Sequence, residues 1–216
     1  MLRSMMRYGA GIVWLGAAGA GLAGLWRYSV TPAEVVENQR VWPEGSALSR
    51  SGNPFSLVMF LHPECPCSRA SVEELGVLLS RNPEQISAQV LFFTPEDKQA
   101  VWSDTTLCRQ ARAIPGVGVQ TDADGREAGL FAAGASGETF VYDPRGVLVF
   151  HGGITAARGH SGDNDGLDLI GKRVSHGGPG LRNSAGPEEP ARSPVYGCSL
   201  QGAIPEAPVK REQPKG

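Results

Sequence analysis

The sequence predicts an α/β protein with a central mixed sheet flanked by helices, one N-terminal transmembrane helix and a disordered C-terminal tail. Three observations predict this class. Residues 9–26 are uncharged and mostly apolar. Between residues 54 and 175, strand-like apolar runs alternate with helical patterns, which is typical of a sheet with a parallel core. Residues 176–216 are rich in Pro, Gly and charge and carry no regular apolar pattern.

The N-terminal run, Gly9–Trp26, is just long enough to cross a bilayer as a helix. Two arginines precede it, which favours residues 1–8 in the cytoplasm and the rest of the chain outside it. The alternative is a cleaved signal peptide, because Ala18–Ala20 offers small residues. Both interpretations export the domain to a compartment that permits disulfides. We expect a single-pass anchor in the lipid bilayer, with the domain on the periplasmic side.

Between the anchor and the domain, residues 27–53 are expected to form a stalk or linker. A capping box at Thr31–Glu34 predicts a short helix over 33–40 within it. In the domain, apolar runs predict strands over 55–61, 89–93, 117–120, 138–142 and 147–151. The expected helices cover residues 68–80, 126–133 and 164–174. A further helical stretch, between the first two of these, is expected to begin again at residue 103. The last two strands are joined by a turn at Asp143–Gly146.

The cysteine pair Cys65 and Cys67 lies where the first strand ends and the first helix begins. A helix N-terminus presents unpaired N–H groups, and a thiol near them ionises more easily. The pattern therefore predicts Cys65 as a nucleophile and Cys67 as its partner in thiol–disulfide exchange. A disulfide in so small a ring is strained and easily reduced. The alternative is a static disulfide that only holds the turn.

The same segment has spacing that suits a soft metal. His62, Cys65 and Cys67, with His160 as a further candidate, predict Cu(I) or Zn(II) binding as the alternative function. Thiol exchange itself requires no cofactor. A copper or zinc carrier is thus the second hypothesis.

Two further cysteines, Cys108 and Cys198, lie far from this segment in the sequence. Cys108 lies in a helical pattern with apolar neighbours and is expected to be a buried small hydrophobe. Cys198 lies in the predicted tail and is either a resolving thiol that reaches the site or a disulfide partner of Cys108. We expect Cys65 to pair with Cys67 and leave the pairing of the other two open.

The order of strands and helices, with a cysteine pair after the first strand, resembles the thioredoxin-like fold over about residues 50–175. Phe60 lies five residues before Cys65, as a strand phenylalanine does in thioredoxins. The turn at Asp143–Gly146 is similar to that between the last two strands of exported thioredoxin-like proteins. The resemblance implies exchange with thiols of a protein partner.

More narrowly, three segments look like a group of membrane-anchored proteins labelled RedB: His62–Ser71, Gly152–Thr155 and Arg158–Asn164. The label implies redox chemistry and supplies no substrate.

Two positions depart from the thioredoxin pattern. Cys67 falls one residue short of the second family cysteine, and Ser136-Gly137 stands where thioredoxins carry a cis-proline that shapes the substrate groove. We therefore expect a groove formed by Pro66, Ser136 and Gly137. Peroxide reduction and a binding module with purely structural cysteines remain alternatives. A net charge of −2 argues against nucleic acid as a partner.

Overall fold

The computed structural model describes residues 2–36, 40–50, 55–98, 102, 104–176 and 189–200 of the chain. Its α-helices are α1 (Leu2–Ser29), α2 (Cys67–Arg81), α3 (Thr106–Arg112), α4 (Arg126–Phe131) and α5 (Asp165–His176). Its strands are β1 (Phe55–Leu61), β2 (Ile86–Thr94), β3 (Val117–Ala123), β4 (Glu138–Tyr142), β5 (Leu148–Gly152) and β6 (Ala191–Arg192). One 3₁₀ turn covers Glu96–Lys98.

All six strands form one sheet in the order β3-β2-β1-β4-β5-β6. Strands β1, β2 and β3 run parallel, β4 is antiparallel to β1 and β5, and β6 is parallel to β5. The predicted mixed sheet with flanking helices is confirmed. Because β1 and β5 point the same way, their carboxyl ends lie at the same edge of the sheet. The turn that carries the cysteine pair follows β1 at that edge.

Strand β1 is buried along its whole length, as a central strand covered on both faces must be. Leu57 and Met59 pack into the core shared with α2, α3 and α5. Val58 and Phe60, which point to the opposite face, pack into a second core with α4. This double burial explains why the apolar run in the sequence is continuous rather than alternating.

Helix α1 contains the predicted anchor. Within it, Gly9–Ser29 spans 21 residues at a mean hydropathy of 1.4, and none of its most apolar window is buried against the rest of the protein. By length and composition this helix is able to cross a membrane, although a signal sequence passes the same test.

The segment predicted as linker packs partly against the domain. The Trp42 ring lies edge-on to Phe131 and Tyr142, with ring centroids 5.3 and 5.0 Å apart. The helix expected over 33–40 is wrong for residues 33–36, which are not helical, and residues 37–39 lie outside the described part. Ala33 donates its N–H to the carbonyl of Val195, 2.8 Å away, in place of a bond within a helix.

The described part of the predicted tail is also ordered. Residues 191–200, here called the C-terminal strap, begin as β6 beside β5 and continue across the carboxyl edge of the sheet. Val195 is 1% exposed and Leu200 is 2% exposed, so burial of these two apolar side chains helps to hold the segment in place. The folded domain therefore extends beyond residue 175, while 177–188 and 201–216 of the predicted tail lie outside the described residues.

A buried carboxylate fixes the loop that precedes β4. Glu138 Oε2 accepts hydrogen bonds from the N–H groups of Gly134 and Ala135 at 2.8 and 3.1 Å. Its other oxygen lies 2.7 Å from His151 Nε2, and both side chains are almost completely buried. The His151 ring in turn stacks on Phe140 with centroids 4.7 Å apart. This network holds residues 134–136 against the carboxyl edge of the sheet.

Candidate thiol site

The turn between β1 and α2 positions Cys65, the first candidate site residue. Cys65 donates its N–H to the His62 carbonyl at 3.2 Å, and the Cys65 carbonyl accepts the Ser68 N–H at 3.0 Å. Helix α2 begins at Cys67, one residue earlier than expected, with Pro66 at its N-cap position. The turn therefore places Cys65 at the entrance of a helix of 15 residues, where positive potential favours a thiolate.

Three thiols converge at this point. The Sγ atoms of Cys65, Cys67 and Cys198 all lie within 4.8 Å of one another. Cys65 Sγ and Cys198 Sγ are only 2.9 Å apart, at hydrogen-bonding distance. None of the four cysteines, all of which lie in the described part of the chain, is joined in a disulfide. The strap thus brings Cys198 to the site. This position fits the interpretation of Cys198 as a thiol that reaches Cys65, rather than as a disulfide partner of Cys108.

Cys108 lies elsewhere, in the hydrophobic core between α3 and the sheet. Its thiol accepts a hydrogen bond from Thr105 Oγ1 at 3.2 Å and lies 3.5 Å from the Trp102 carbonyl. It is 1% exposed, in agreement with its expected role as a buried small hydrophobe.

The three thiols differ in their tendency to ionise. Burial opposes ionisation of Cys65, but hydrogen bonds from the side chain and backbone of Cys198, from Cys67 and from Ser68 outweigh it, and the net effect lowers the Cys65 pKa. Burial, together with the nearby charge of Cys65, raises the pKa of Cys67. Burial and the hydrogen bond to Cys65 raise the pKa of Cys198 to about 12. Of the three thiols, Cys65 is the one whose pKa is lowered, and Cys198, which contacts it, holds its proton more tightly.

Two of the expected groove residues, Ser136 and Gly137, lie against the cysteine turn and the start of α2. Ser136 Oγ accepts the His62 N–H at 2.9 Å and lies 2.7 Å from Ser68 Oγ. Gly137 has φ of +89°, and a Cβ there would lie 2.8 Å from Ser71 Oγ, so only glycine fits without strain. Ser136 and Gly137 thus connect the loop before β4 to the first turn of α2. Pro66 is exposed at the mouth of the site.

The two histidines considered as metal ligands have other surroundings. The His62 ring packs against Phe93 and Trp102, and its Nδ1 accepts the Glu64 N–H at 3.2 Å. Burial lowers the pKa of His62, against a smaller opposing effect of the Glu64 charge. His160 is exposed, with Nδ1 2.8 Å from the Arg158 carbonyl. Among the described residues, the group with metal-ligand spacing consists of the three cysteines.

Sequence reasoning did not single out Arg158 as a site residue. Its positive charge favours the thiolate forms of Cys67 and Cys198 and so opposes the rise in their pKa values. Arg158 Nη1 donates to the carbonyl of Gly197, next to Cys198 in the strap. Its guanidinium also lies 4.9 Å from the centre of the Tyr28 ring at the end of α1. The signal in the sequence was its place at the start of Arg158–Asn164, one of the three segments that resemble the RedB group.

Comparisons with known proteins support the fold. No family model matches the chain, and no curated protein matches it. A hypothetical protein from Sinorhizobium meliloti 1021 is similar at 21% identity and a TM-score of 0.53, covering 82% of this chain and 97% of that one. An uncharacterized conserved protein from Geobacillus kaustophilus is similar at 13% identity and a TM-score of 0.52, covering 82% and 94%.

A secreted Mycobacterium tuberculosis disulfide oxidoreductase is more distant, at 14% identity, a TM-score of 0.39 and coverage of 57% and 81%. The sheet order and the cysteine turn at the carboxyl end of β1 define a thioredoxin-like fold, as the sequence predicts. At these identities the likeness describes the fold alone, and the resemblance to the RedB group stays a prediction.

Proposed function

We propose that this chain is a membrane-anchored thiol–disulfide exchange protein with Cys65 as the nucleophile. The observation that carries the proposal is the contact between Cys65 and Cys198, whose sulfur atoms lie 2.9 Å apart. The Cys65 pKa is lowered, and thiolate is the form that attacks disulfides. A second thiol within bonding distance is able to attack the mixed disulfide and so release the substrate from Cys65.

The reaction runs in two steps. The Cys65 thiolate attacks one sulfur of a substrate disulfide, so that a Cys65–substrate mixed disulfide forms and the other substrate sulfur leaves as a thiolate. Cys198 then gives its proton to water and attacks Cys65 Sγ, and the second substrate sulfur leaves. The substrate gains two electrons, and Cys65 and Cys198 become a disulfide. In reverse, the oxidised protein passes its disulfide to a substrate dithiol. Cys67, the partner expected from the sequence, is the other resolving candidate.

The position of the site favours a protein substrate close to the membrane. Arg158, which lies beside the thiols, donates its N–H to the carbonyl of Ser29, the last residue of α1. If α1 spans the bilayer with its N-terminus in the cytoplasm, this contact keeps the thiols near the outer membrane surface. Substrates would then be exported or membrane-bound proteins that carry thiols or disulfides.

Replacement of the resolving thiol should trap the intermediate. In Cys198→Ser the hydroxyl cannot attack the mixed disulfide, so we expect a covalent Cys65–substrate adduct to accumulate, visible as a mass increase that dithiothreitol removes. Cys67→Ser is the matched control and should turn over without an adduct. Trapping by Cys67→Ser alone would assign the resolving role to Cys67, and the absence of any adduct in both variants would contradict exchange at Cys65.

A second function is favoured by the same geometry. Three sulfur atoms within 4.8 Å form a set that suits Cu(I) or Zn(II), which prefer thiolate ligands. Cys65, Cys67 and Cys198 would hold such an ion, and metal binding would displace their protons.

Anaerobic titration of the reduced protein with Cu(I) tests this function. We expect one equivalent to bind in competition with a chelator, and Cys198→Ser to lose at least about tenfold in affinity because a ligand is removed. His160→Ala is the control, since His160 is exposed outside the three-thiol group. Loss of copper in His160→Ala would point to the histidine-containing set instead, and no uptake by the reduced protein would exclude the function.

A further inference from the structure

The C-terminal strap pairs with the loop before β4 as an added strand would. Ser136 donates its N–H to the Cys198 carbonyl at 2.8 Å, and Leu200 donates its N–H to the Gly134 carbonyl at 2.9 Å. Between these bonds, Ala135 and Ser199 form an antiparallel bridge. These are main-chain contacts, which any extended polypeptide is able to make. The strap therefore shows how a peptide chain fits beside Cys65.

The groove restricts which side chain is able to fit at two positions of the strap. A Cβ on Gly197 would lie 1.7 Å from the Ser136 carbonyl oxygen, so that only glycine passes this point. Two residues beyond the cysteine, Leu200 is 2% exposed in the apolar core that includes Phe60 and Phe131. The groove thus accepts glycine directly before a cysteine and an apolar side chain two residues after it.

The strap also closes the site. Cys65 is only 6% exposed, and Cys198 lies against it. The strap occupies the side of Cys65 that faces the loop before β4, so a second chain cannot lie along that loop at the same time. A substrate that binds in this groove must therefore displace residues 196–200.

The preceding part of the strap is held independently of the groove. Ser193 Oγ donates to the Gly153 carbonyl at 2.6 Å, and the Val195 carbonyl accepts the Ala33 N–H at 2.8 Å. Val195 itself is buried. When residues 196–200 leave, this attachment keeps them close to the site, and a tethered segment competes at a high effective concentration.

We infer that the groove between residues 134–137 and Cys65 binds extended polypeptides in which glycine precedes a cysteine, and that residues 196–200 are an internal copy of such a substrate. This inference rests on the proposed function and specifies its substrate class. The substrate displaces the strap and forms the mixed disulfide with Cys65. Return of the strap then brings Cys198 onto Cys65 Sγ, so that attack by Cys198 and release of the substrate thiolate occur together.

The variant Gly197→Ala of the full chain in detergent tests the inference. The added methyl group collides with backbone, so the strap should leave the groove and the rate of Cys65 alkylation by iodoacetamide should rise by about tenfold or more. Peptide mapping assigns the alkylated cysteine. Gly171→Ala, at a position where a Cβ meets nothing within 4 Å, is the matched control and should react like wild type. An unchanged Cys65 rate in Gly197→Ala would overturn the inference.

A second variant and a binding measurement guard against misfolding. Leu200→Ser weakens the strap without a backbone collision and should also raise the Cys65 rate. The opened Gly197→Ala protein should bind a fluorescent peptide Val-Tyr-Gly-Ser-Ser-Leu, which mimics the strap without its thiol, and bind it at least about tenfold more tightly than the same peptide with alanine in place of glycine. Equal binding of both peptides, or binding of neither, would overturn the inference. These measurements require no disulfide exchange, so their failure is distinguishable from failure of the proposed function.

Discussion

Replacing Cys65 by serine should lower the rate of disulfide exchange by at least about 1,000-fold, as loss of the nucleophile does in enzymes that depend on one. Serine keeps the shape of the side chain but is not ionised in this environment, and it cannot form the mixed disulfide. The measurement is the rate at which the reduced protein, with dithiothreitol as reductant, reduces a glycine-cysteine peptide disulfide. The reaction without protein gives the background.

Cys108→Ser is the matched control for this experiment. Cys108 is a buried cysteine outside the thiol group, and Thr105 Oγ1 and the Trp102 carbonyl remain available to a serine hydroxyl there. We expect its exchange rate to stay close to wild type. Equal activity of Cys65→Ser and wild type would exclude the mechanism.

The pH dependence of Cys65 alkylation follows from the pKa of this thiol. Because hydrogen bonds lower this pKa overall, the thiolate forms at lower pH than in an ordinary cysteine, and the rate of Cys65 alkylation should reach its half-maximum below that of a free thiol. Cys198, with a pKa near 12, stays protonated at neutral pH in the resting protein. Once Cys65 is in a mixed disulfide, its negative charge is gone, so one cause of the raised Cys198 pKa disappears when Cys198 has to react.

Replacing Glu138 by alanine should reduce the free energy of unfolding by about 3–5 kcal/mol, the range for breaking a buried polar network. Glu138 is fully buried, and its carboxylate serves His151 and the N–H groups of Gly134 and Ala135. Alanine removes the acceptor that all three donors use and leaves space behind. Chemical denaturation followed by tryptophan fluorescence measures the change, because Trp42 packs on the second core.

Glu44→Ala is the corresponding control, because Glu44 is exposed and its loss should change stability by less than about 0.5 kcal/mol. Glu138→Ala should also increase alkylation of Cys65, since the loop that it holds pairs with the strap. A loss of stability no larger than that of Glu44→Ala would show that the carboxylate network does not hold this edge of the sheet.

Local sequence patterns were sufficient to predict the elements around the cysteine turn. The continuous apolar run at 55–61 predicts a strand buried on both faces, and β1 is such a strand. The start of α2 was predicted within one residue, because the turn residues and the helical pattern lie next to each other in the chain. These elements depend on residues that are close together in the sequence, so a local pattern is sufficient to predict them.

The complete thiol group could not be predicted in the same way. Cys198 lies 133 positions from Cys65, in a segment whose composition is typical of disorder. Its order depends on a few long-range contacts, above all the burial of Val195 and Leu200 and the fit of Gly197 against Ser136. Such contacts leave no periodic signal in a single sequence. Arg158 was missed for the same reason, since its neighbours come from α1 and the strap.

The most direct test of the account is the identity of the disulfide in the oxidised protein. The full chain is oxidised with a small-molecule disulfide, remaining thiols are alkylated under denaturing conditions, and the linked peptides are identified by mass spectrometry. We predict a disulfide between Cys65 and Cys198, with Cys67 and Cys108 alkylated. A disulfide between Cys65 and Cys67 with Cys198 alkylated, or no disulfide that includes Cys65, would contradict the proposed exchange between Cys65 and the strap.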